Sequence, residues 1–347
     1  MPTITYRLVP VTPKSWYDKG MASAVPSVLS ASISRSIGSG ATTLESGTFS
    51  ILGGIGDIPS EGWYRLEALM TDGASQMFPI ATMRLTPTAF AISGGKATYT
   101  LQGRSVLQPL AERKIRTGDY ISKGANAASK IGQLIREAMS PAPVNIVGSF
   151  TLNEYYVLDP GASYLEAVWG ILDKAGWCMQ ISPDGVITVC SKPTTPRLSI
   201  DRNNKSLLAA GLSGSYSWAD IPNRLTVLDW YGDTYTVVNN LAESRVSTKT
   251  RGWYVDAYDS SPQLKDGETI ASYAKRRLSE LSVWTEPYSY TRSWIVGNEP
   301  RLFDLVRATL PTDGMDGDLR VTSQQIDCGT SLMVDETAEL EHKEYTP

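Results

Sequence analysis

The first hundred residues are cut into short runs by turn-forming pairs, and this punctuation limits the fold more than any other feature of the sequence. Gly53-Gly54, Asp72-Gly73 and Gly94-Gly95 stand between runs at 44–52, 63–69, 79–85 and 97–101. Glycine reaches the positive φ that tight turns require, and runs this short favour strands over helices. Trp63, Arg65, Glu67 and Leu69 alternate with Tyr64, Leu66 and Ala68, a strand period. Several short strands at this spacing imply a small barrel or sandwich.

The pattern then changes. Over 124–139, Ala128, Ile131, Leu134, Ile135, Ala138 and Met139 recur at helical spacing, and Pro141 and Pro143 stop the run. A second helix starts at Ser163, where Ser163 and Glu166 form a capping box, and Gly176 ends it. In Ser182-Pro183-Asp184-Gly185 the turn centre and its following glycine predict a hairpin. The register then sets Ile181 opposite Ile187, Met179 opposite Val189 and Cys178 opposite Cys190. Trp177, Met179, Ile181, Ile187 and Val189 share an apolar face, with the two cysteines on the more polar one. Lys192 to Pro196 reads as a linker. Strands follow at 224–230, 235–238, 288–296, 302–310, 319–326 and 331–339, with a third helix over 269–281.

The chain of 347 residues is long enough for two or three domains and large cores. Its net charge of −4 argues against a dedicated nucleic-acid binder. Three cysteines, Cys178, Cys190 and Cys328, are neither a disulfide framework nor a zinc pattern, and in a reducing cytoplasm they read as free thiols. No apolar stretch is long enough to span a membrane, and the N-terminus carries no secretory signal, so synthesis and folding in a cytoplasm are expected.

The residues that carry chemistry are sparse. His342 is the one histidine, which removes most metallohydrolase and Ser-His-Asp schemes. The glycine-rich segment from Gly53 to Asp57 lacks the Gly-Lys-Ser/Thr of a phosphate loop and reads as a turn. Gly211-Leu212-Ser213-Gly214-Ser215 falls one glycine short of a nucleophile elbow. Asp313, Asp316 and Asp318 lack calcium-loop spacing and read as a solvated turn. The basic runs Arg113-Lys114-Arg116 and Lys275-Arg276-Arg277 read as solvated faces. The acids Asp335, Glu336, Glu339, Glu341 and Glu344 read as a polar strand end and tail. No carboxylate pair stands out as a glycosidase pair. The chain reads as a non-enzyme with no catalytic, metal or cofactor-binding residue. Trp16-Tyr17 and Trp253-Tyr254 are candidate exposed loops for surface recognition.

The order of elements resembles the hub proteins of long-tailed bacteriophages, the baseplate or tail-tip hubs. The residues that carry the resemblance begin with a strand at 97–101 leading to Gly103-Arg104-Ser105. Leu107, Leu110 and Arg113 follow, and then the helix from Ala128 to Met139. Gly161 to Glu166, Gly176-Trp177 and the Asp184-Gly185 turn resemble the family's helix and hairpin. Asp220-Ile221-Pro222-Asn223-Arg224-Leu225 resembles the segment opening its second barrel. The likeness covers roughly residues 30 to 340, and each motif alone is a turn or cap signature.

The resemblance implies a mainly β, α+β chain with two tube-like antiparallel β-barrels, an α/β domain and a helical insertion. The expected layout is a first barrel over 1–103, the α/β domain over 104–197 and a second barrel over 198–347. The insertion near 250–285 is expected to pack on the α/β domain. The family implies a homotrimeric ring that adapts sixfold tube symmetry to a threefold tip. Its partners would be a distal tail or tail-tube protein above and a tail-tip, spike or fibre protein below. Tape-measure protein and DNA would pass through the lumen, and no membrane would be involved. The virion's distal tail end would be its location, after assembly in the host cytoplasm. No room for a fused cell-wall hydrolase is expected after the second barrel. The alternative is a tail-tip β-protein that binds a host-surface carbohydrate or receptor.

Overall fold

Alternating burial along the chain builds strands wherever the sequence shows period-two patterning, and a computed structural model places them. It describes residues 3–13, 27–37, 45–72, 74–139, 143–152, 155–201, 208–216, 218–228, 232, 234–260, 262, 264, 267–310 and 315–347. The first strands are β1 (Thr3–Pro10), β2 (Ser27–Ser36), β3 (Glu45–Gly53), β4 (Gly62–Asp72), β5 (Ala74–Ser93) and β6 (Lys96–Ser105). Next come α1 (Gln108–Glu112), β7 (Tyr120–Ile121), α2 (Ala127–Ala138), β8 (Val144–Ile146), β9 (Tyr156–Val157) and α3 (Tyr164–Ala175). The hairpin strands β10 (Trp177–Ile181) and β11 (Ile187–Ser191) lead to β12 (Pro196–Ile200) and β13 (Leu208–Gly214). Then follow β14 (Arg224–Leu228), β15 (Thr234–Val238), α4 (Thr248–Arg251), β16 (Asp256–Asp259) and α5 (Ile270–Leu281). The chain ends through β17 (Val283–Ser293), β18 (Leu305–Leu310), β19 (Met315–Cys328) and β20 (Leu332–Lys343).

The main sheet runs β1-β4-β5-β6-β3-β2-β19-β20-β17-β13, with β18 on β19 and β12 on β18. This corrects the expectation of two tube-like β-barrels. A strand has two hydrogen-bonding edges. β2 gives one to β3, from Ser27 opposite Leu52 to Arg35 opposite Glu45. It gives the other to β19, from Ala31 opposite Cys328 to Ser36 opposite Ser323. The C-terminal strands therefore extend the N-terminal sheet and do not close a second tube. Only the start of β2 is left for β1, and among the described residues they pair at Arg7 opposite Ser27 alone. The resulting ring of strands is not a barrel, which requires a full ladder at every seam.

The chain divides into two compact units, Met1–Gly211 with Tyr290–Thr337, and Leu212–Ser289 with Ala338–Pro347. In the first unit the sheet core holds Ile33, Phe49, Leu66, Met83, Leu101 and Val334. A separate core joins Ile131, Leu134 and Ile135 of α2 to Val168, Ile171 and Leu172 of α3 and to the β10–β11 hairpin. α3 starts on the expected capping box, the Ser163 hydroxyl accepting from the Glu166 N–H and the Glu166 carboxylate from the Ser163 N–H. Gly176 closes it at φ +66°. The hairpin has the expected register, and Met179, Ile187 and Val189 are fully buried.

The hairpin's other face is not left to solvent. Gln180 Nε2 donates to the Leu302 carbonyl at 2.9 Å and to Asp304 Oδ1 at 2.8 Å, and Cys178 is buried there.

In the second unit, β15-β14-β16 form a three-stranded sheet. Leu225, Val227 and Val237 on its inner face pack against Tyr273, Ala274 and Leu278 of α5. The helix expected over 269–281 is thus present, capped by Thr269, and it packs on β14 and β15 where the α/β domain was expected.

Candidate interaction surfaces

β4 pairs with β5 only as far as Gly62 opposite Leu85. β6 continues along β5 to Lys96 opposite Ser93. From Thr86 to Ser93 the outer edge of β5 therefore carries no paired strand among the described residues. The two-residue turn between the strands is Gly94-Gly95, with φ +57° and +77°, both values that favour glycine. The edge reads Thr-Pro-Thr-Ala-Phe-Ala-Ile-Ser, with no charge. Phe90 is 66% exposed and Ile92 53%, on one face. Folded proteins blunt such edges with charges, prolines or a covering element, and here Pro87 alone interrupts it.

A second region with exposed aromatics lies on the outer face of β15-β14-β16. Tyr254, Asp256 and Tyr258 alternate along and just before β16, and Trp253 precedes them. Trp253 is 63% exposed, Tyr254 54% and Tyr258 62%. The Arg224 guanidinium stacks 4.0 Å from the Tyr254 ring centroid and makes a bidentate pair with Asp256 directly across from it. This pairing raises the Arg224 pKa and lowers that of Asp256.

Asn223 holds the segment in place. Its Nδ2 donates to the Val246 carbonyl at 2.9 Å and the Trp253 carbonyl at 3.0 Å, while Oδ1 accepts from the Val255 N–H at 2.9 Å. The Asp220–Leu225 motif therefore contains the residue that presents Trp253 and Tyr254. The companion pair Trp16-Tyr17 lies outside the described residues.

The other chemistry-bearing residues are tied into structure. His342 stacks on Trp284 at 4.1 Å, and its Nε2 lies 2.9 Å from Glu286 Oε2. Tyr288 donates to the other Glu286 oxygen at 2.5 Å, and burial raises the Tyr288 pKa. Trp218 extends the stack to the exposed Tyr216, and Arg245 lies over Trp218 and Trp284. Arg113 donates to the Glu137 carbonyl and faces Tyr164. Arg276 pairs with Glu268 and Glu280, and Arg277 with Glu280. Asp316 and Asp318 are on β19 beside Arg307, where a turn was expected, and Asp313 is outside the described residues. Ser213 lies in a strand.

Glu336, expected on a polar strand end, is buried instead. Arg292 Nη2 donates to Glu336 Oε2 at 2.5 Å and to Glu299 Oε1 at 2.6 Å. Tyr290 and Gln324 also donate to Glu336, at 2.6 and 2.7 Å. Burial opposes the charge on Arg292, but Glu336 and Glu299 outweigh it and hold the guanidinium protonated. Burial raises the Glu299 pKa against the pull of Arg292. The signal was present in the sequence: Leu332, Val334, Glu336 and Ala338 share one strand face. Glu344 accepts from the Trp284 indole at 2.9 Å and from the Arg245 N–H at 2.8 Å.

Among the described residues no group of three or more His, Cys, Asp or Glu side chains is placed to hold a metal ion, and no helix is long and apolar enough to cross a membrane.

No protein-family model and no curated protein sequence matches the chain. Solved structures do. A 43 kDa tail protein of prophage MuSo2 from Shewanella oneidensis aligns at TM-score 0.64 and 12% identity, over 96% of this chain and 98% of that one. A tail protein from Neisseria meningitidis MC58 aligns at TM-score 0.63 and 13% identity, over 98% and 96%. A chain of the half-lidded Francisella PdpA-VgrG complex aligns at TM-score 0.59 and 7% identity, over 100% of this chain and 60% of that one. At these identities the likeness is one of fold, and it extends over nearly the whole chain.

Proposed function

We propose, from the premise that this chain has the fold of a prophage tail protein, that it is a structural hub of a phage tail tip. Three copies form a ring that continues the tail tube and adapts its sixfold symmetry to a threefold tip. The observation that carries this reading is the uncharged edge of β5 from Thr86 to Ser93, which no strand pairs with among the described residues. A neighbouring copy covers that edge, and a heterologous contact of this kind closes into a ring when its rotation allows. Tail-tube protein sits above the ring and a spike, fibre or other tip protein below. Tape-measure protein and DNA pass through the lumen. The net charge of −4 supports transit, since few cations are spare to grip phosphates. Assembly takes place in the host cytoplasm, and the final location is the distal end of the virion tail.

Native mass at several concentrations, followed by electron-microscope class averages, tests this. The expected result is a species of three times the 37.8 kDa chain mass, with an open channel. A strict monomer at high concentration that forms no ring even with tail-tube protein would overturn it. The exposed Trp253, Tyr254 and Tyr258 favour a second reading, a tip protein that binds a host-surface carbohydrate or receptor. Binding on a glycan array, lost on Trp253→Ala with the fold intact, separates that reading from the first.

A further inference from the structure

We propose that Cys178 and Cys190 form a latent cross-strand disulfide site, closed by a small disulfide oxidant such as oxidised glutathione. The two residues are direct partners across β10 and β11. Directly opposed residues of an antiparallel pair have Cα atoms about 4.5–5.5 Å apart, inside the span of about 4.4–6.8 Å that a disulfide bridges. The sulfurs already lie 3.8 Å apart as free thiols. Closing to a bond of about 2.05 Å requires side-chain rotation and no slip of the strands.

The register is held independently of the sulfurs. Met179 and Val189, the adjacent pair, are fully buried in the core on one face, and Gln180 is pinned to Leu302 and Asp304 on the other. The remaining cysteine, Cys328, is buried on β19 and has no sulfur partner of this kind.

The two thiols have different roles. Cys178 is fully buried, whereas Cys190 is partly exposed and is the point of attack. The contact between the two sulfurs lowers the Cys190 thiol to about 7, while that contact and burial raise Cys178. A thiolate is therefore available near neutral pH at the accessible partner. The Cys190 thiolate attacks one sulfur of the oxidant, forms a mixed disulfide and expels one thiolate of the small molecule. Cys178 gives up its proton to that leaving thiolate and attacks the Cys190 sulfur, expelling the second small thiol. Two protein thiols are oxidised by two electrons and the oxidant is reduced to two thiols. A reducing cytoplasm keeps the pair open, and a medium outside it lets the pair close. The product ties the two strands on which α2 and α3 pack.

The test is incubation of the whole chain with oxidised glutathione, followed by thiol counting after unfolding, intact mass and peptide mapping. Cleavage before Asp184 separates the two cysteines. The expected wild-type product has lost two hydrogens, retains one of its three thiols and contains a Cys178–Cys190 link. Cys328→Ser still closes the link. Cys178→Ser stops at glutathione on Cys190, and Cys190→Ser yields no link. Retention of all three wild-type thiols, a stable glutathione adduct on Cys190, or a link through Cys328 or between chains would overturn the proposal. Should a variant not fold, the wild-type map decides alone.

Discussion

Arg292 has no exposed surface and serves two carboxylates, Glu299 and Glu336. Removing one member of such a group leaves charge buried without its partner, which costs about 3–5 kcal/mol. Arg292→Met should lower the unfolding free energy by that amount in a urea titration, and an unchanged midpoint would count against the network. Replacing Arg292, Glu299 and Glu336 together with apolar residues should recover most of the loss. Cys328 carries a pH effect. Burial raises its thiol to about 12, and the unfolded thiol ionises near 8.5. Between those values the unfolded chain has released a proton that the folded chain keeps, so stability falls as pH rises, by about 1.4 kcal/mol per pH unit. The contribution is whole below about pH 8.5. Urea midpoints under reductant should fall less for Cys328→Ala than for wild type between about pH 8.5 and 10, the ionisation of the unfolded tyrosines being common to both chains. Equal slopes would refute the assignment.

Elements whose signals are local were legible. The α3 cap, the Gly176 stop and the β10–β11 register depend on residues a few positions apart, and each is present as read. β1 and β2 lie outside the runs legible in the sequence, although Ile4, Tyr6 and Leu8 alternate inward along β1. Packing explains Gly103 of the Gly103-Arg104-Ser105 motif. It lies opposite Gly47, and a Cβ there would approach Phe49 Cε2 to 2.7 Å and Met83 Sδ to 2.9 Å. Both neighbours are core side chains with little room to move. Gly103→Ala should cost about 1–3 kcal/mol by overpacking, measured by thermal or urea unfolding. A neutral effect would show that β6 can shift without penalty.

At the scale of the whole molecule, the edge of β5 that no strand pairs with among the described residues sets the expectation for assembly. Lysine at Phe90 and Ile92 places charge on a strand edge that a neighbour must otherwise pair with. The double variant Phe90→Lys/Ile92→Lys should stay monomeric under conditions where wild type forms the ring. Its unfolding midpoint should match that of the wild-type monomer, because both side chains are already exposed. A ring that survives the double change would move the contact elsewhere. Sequence alone determined the mainly β character, the three long helices, the turn at Gly94-Gly95 and the pairing of Cys178 with Cys190, because these follow from periodicity and turn chemistry within short spans. Only the tertiary structure decided that β2 joins β19 and that Glu336 meets Arg292. Strand partners distant in sequence are chosen by which edges remain free once the whole sheet is built, and no local pattern records that choice.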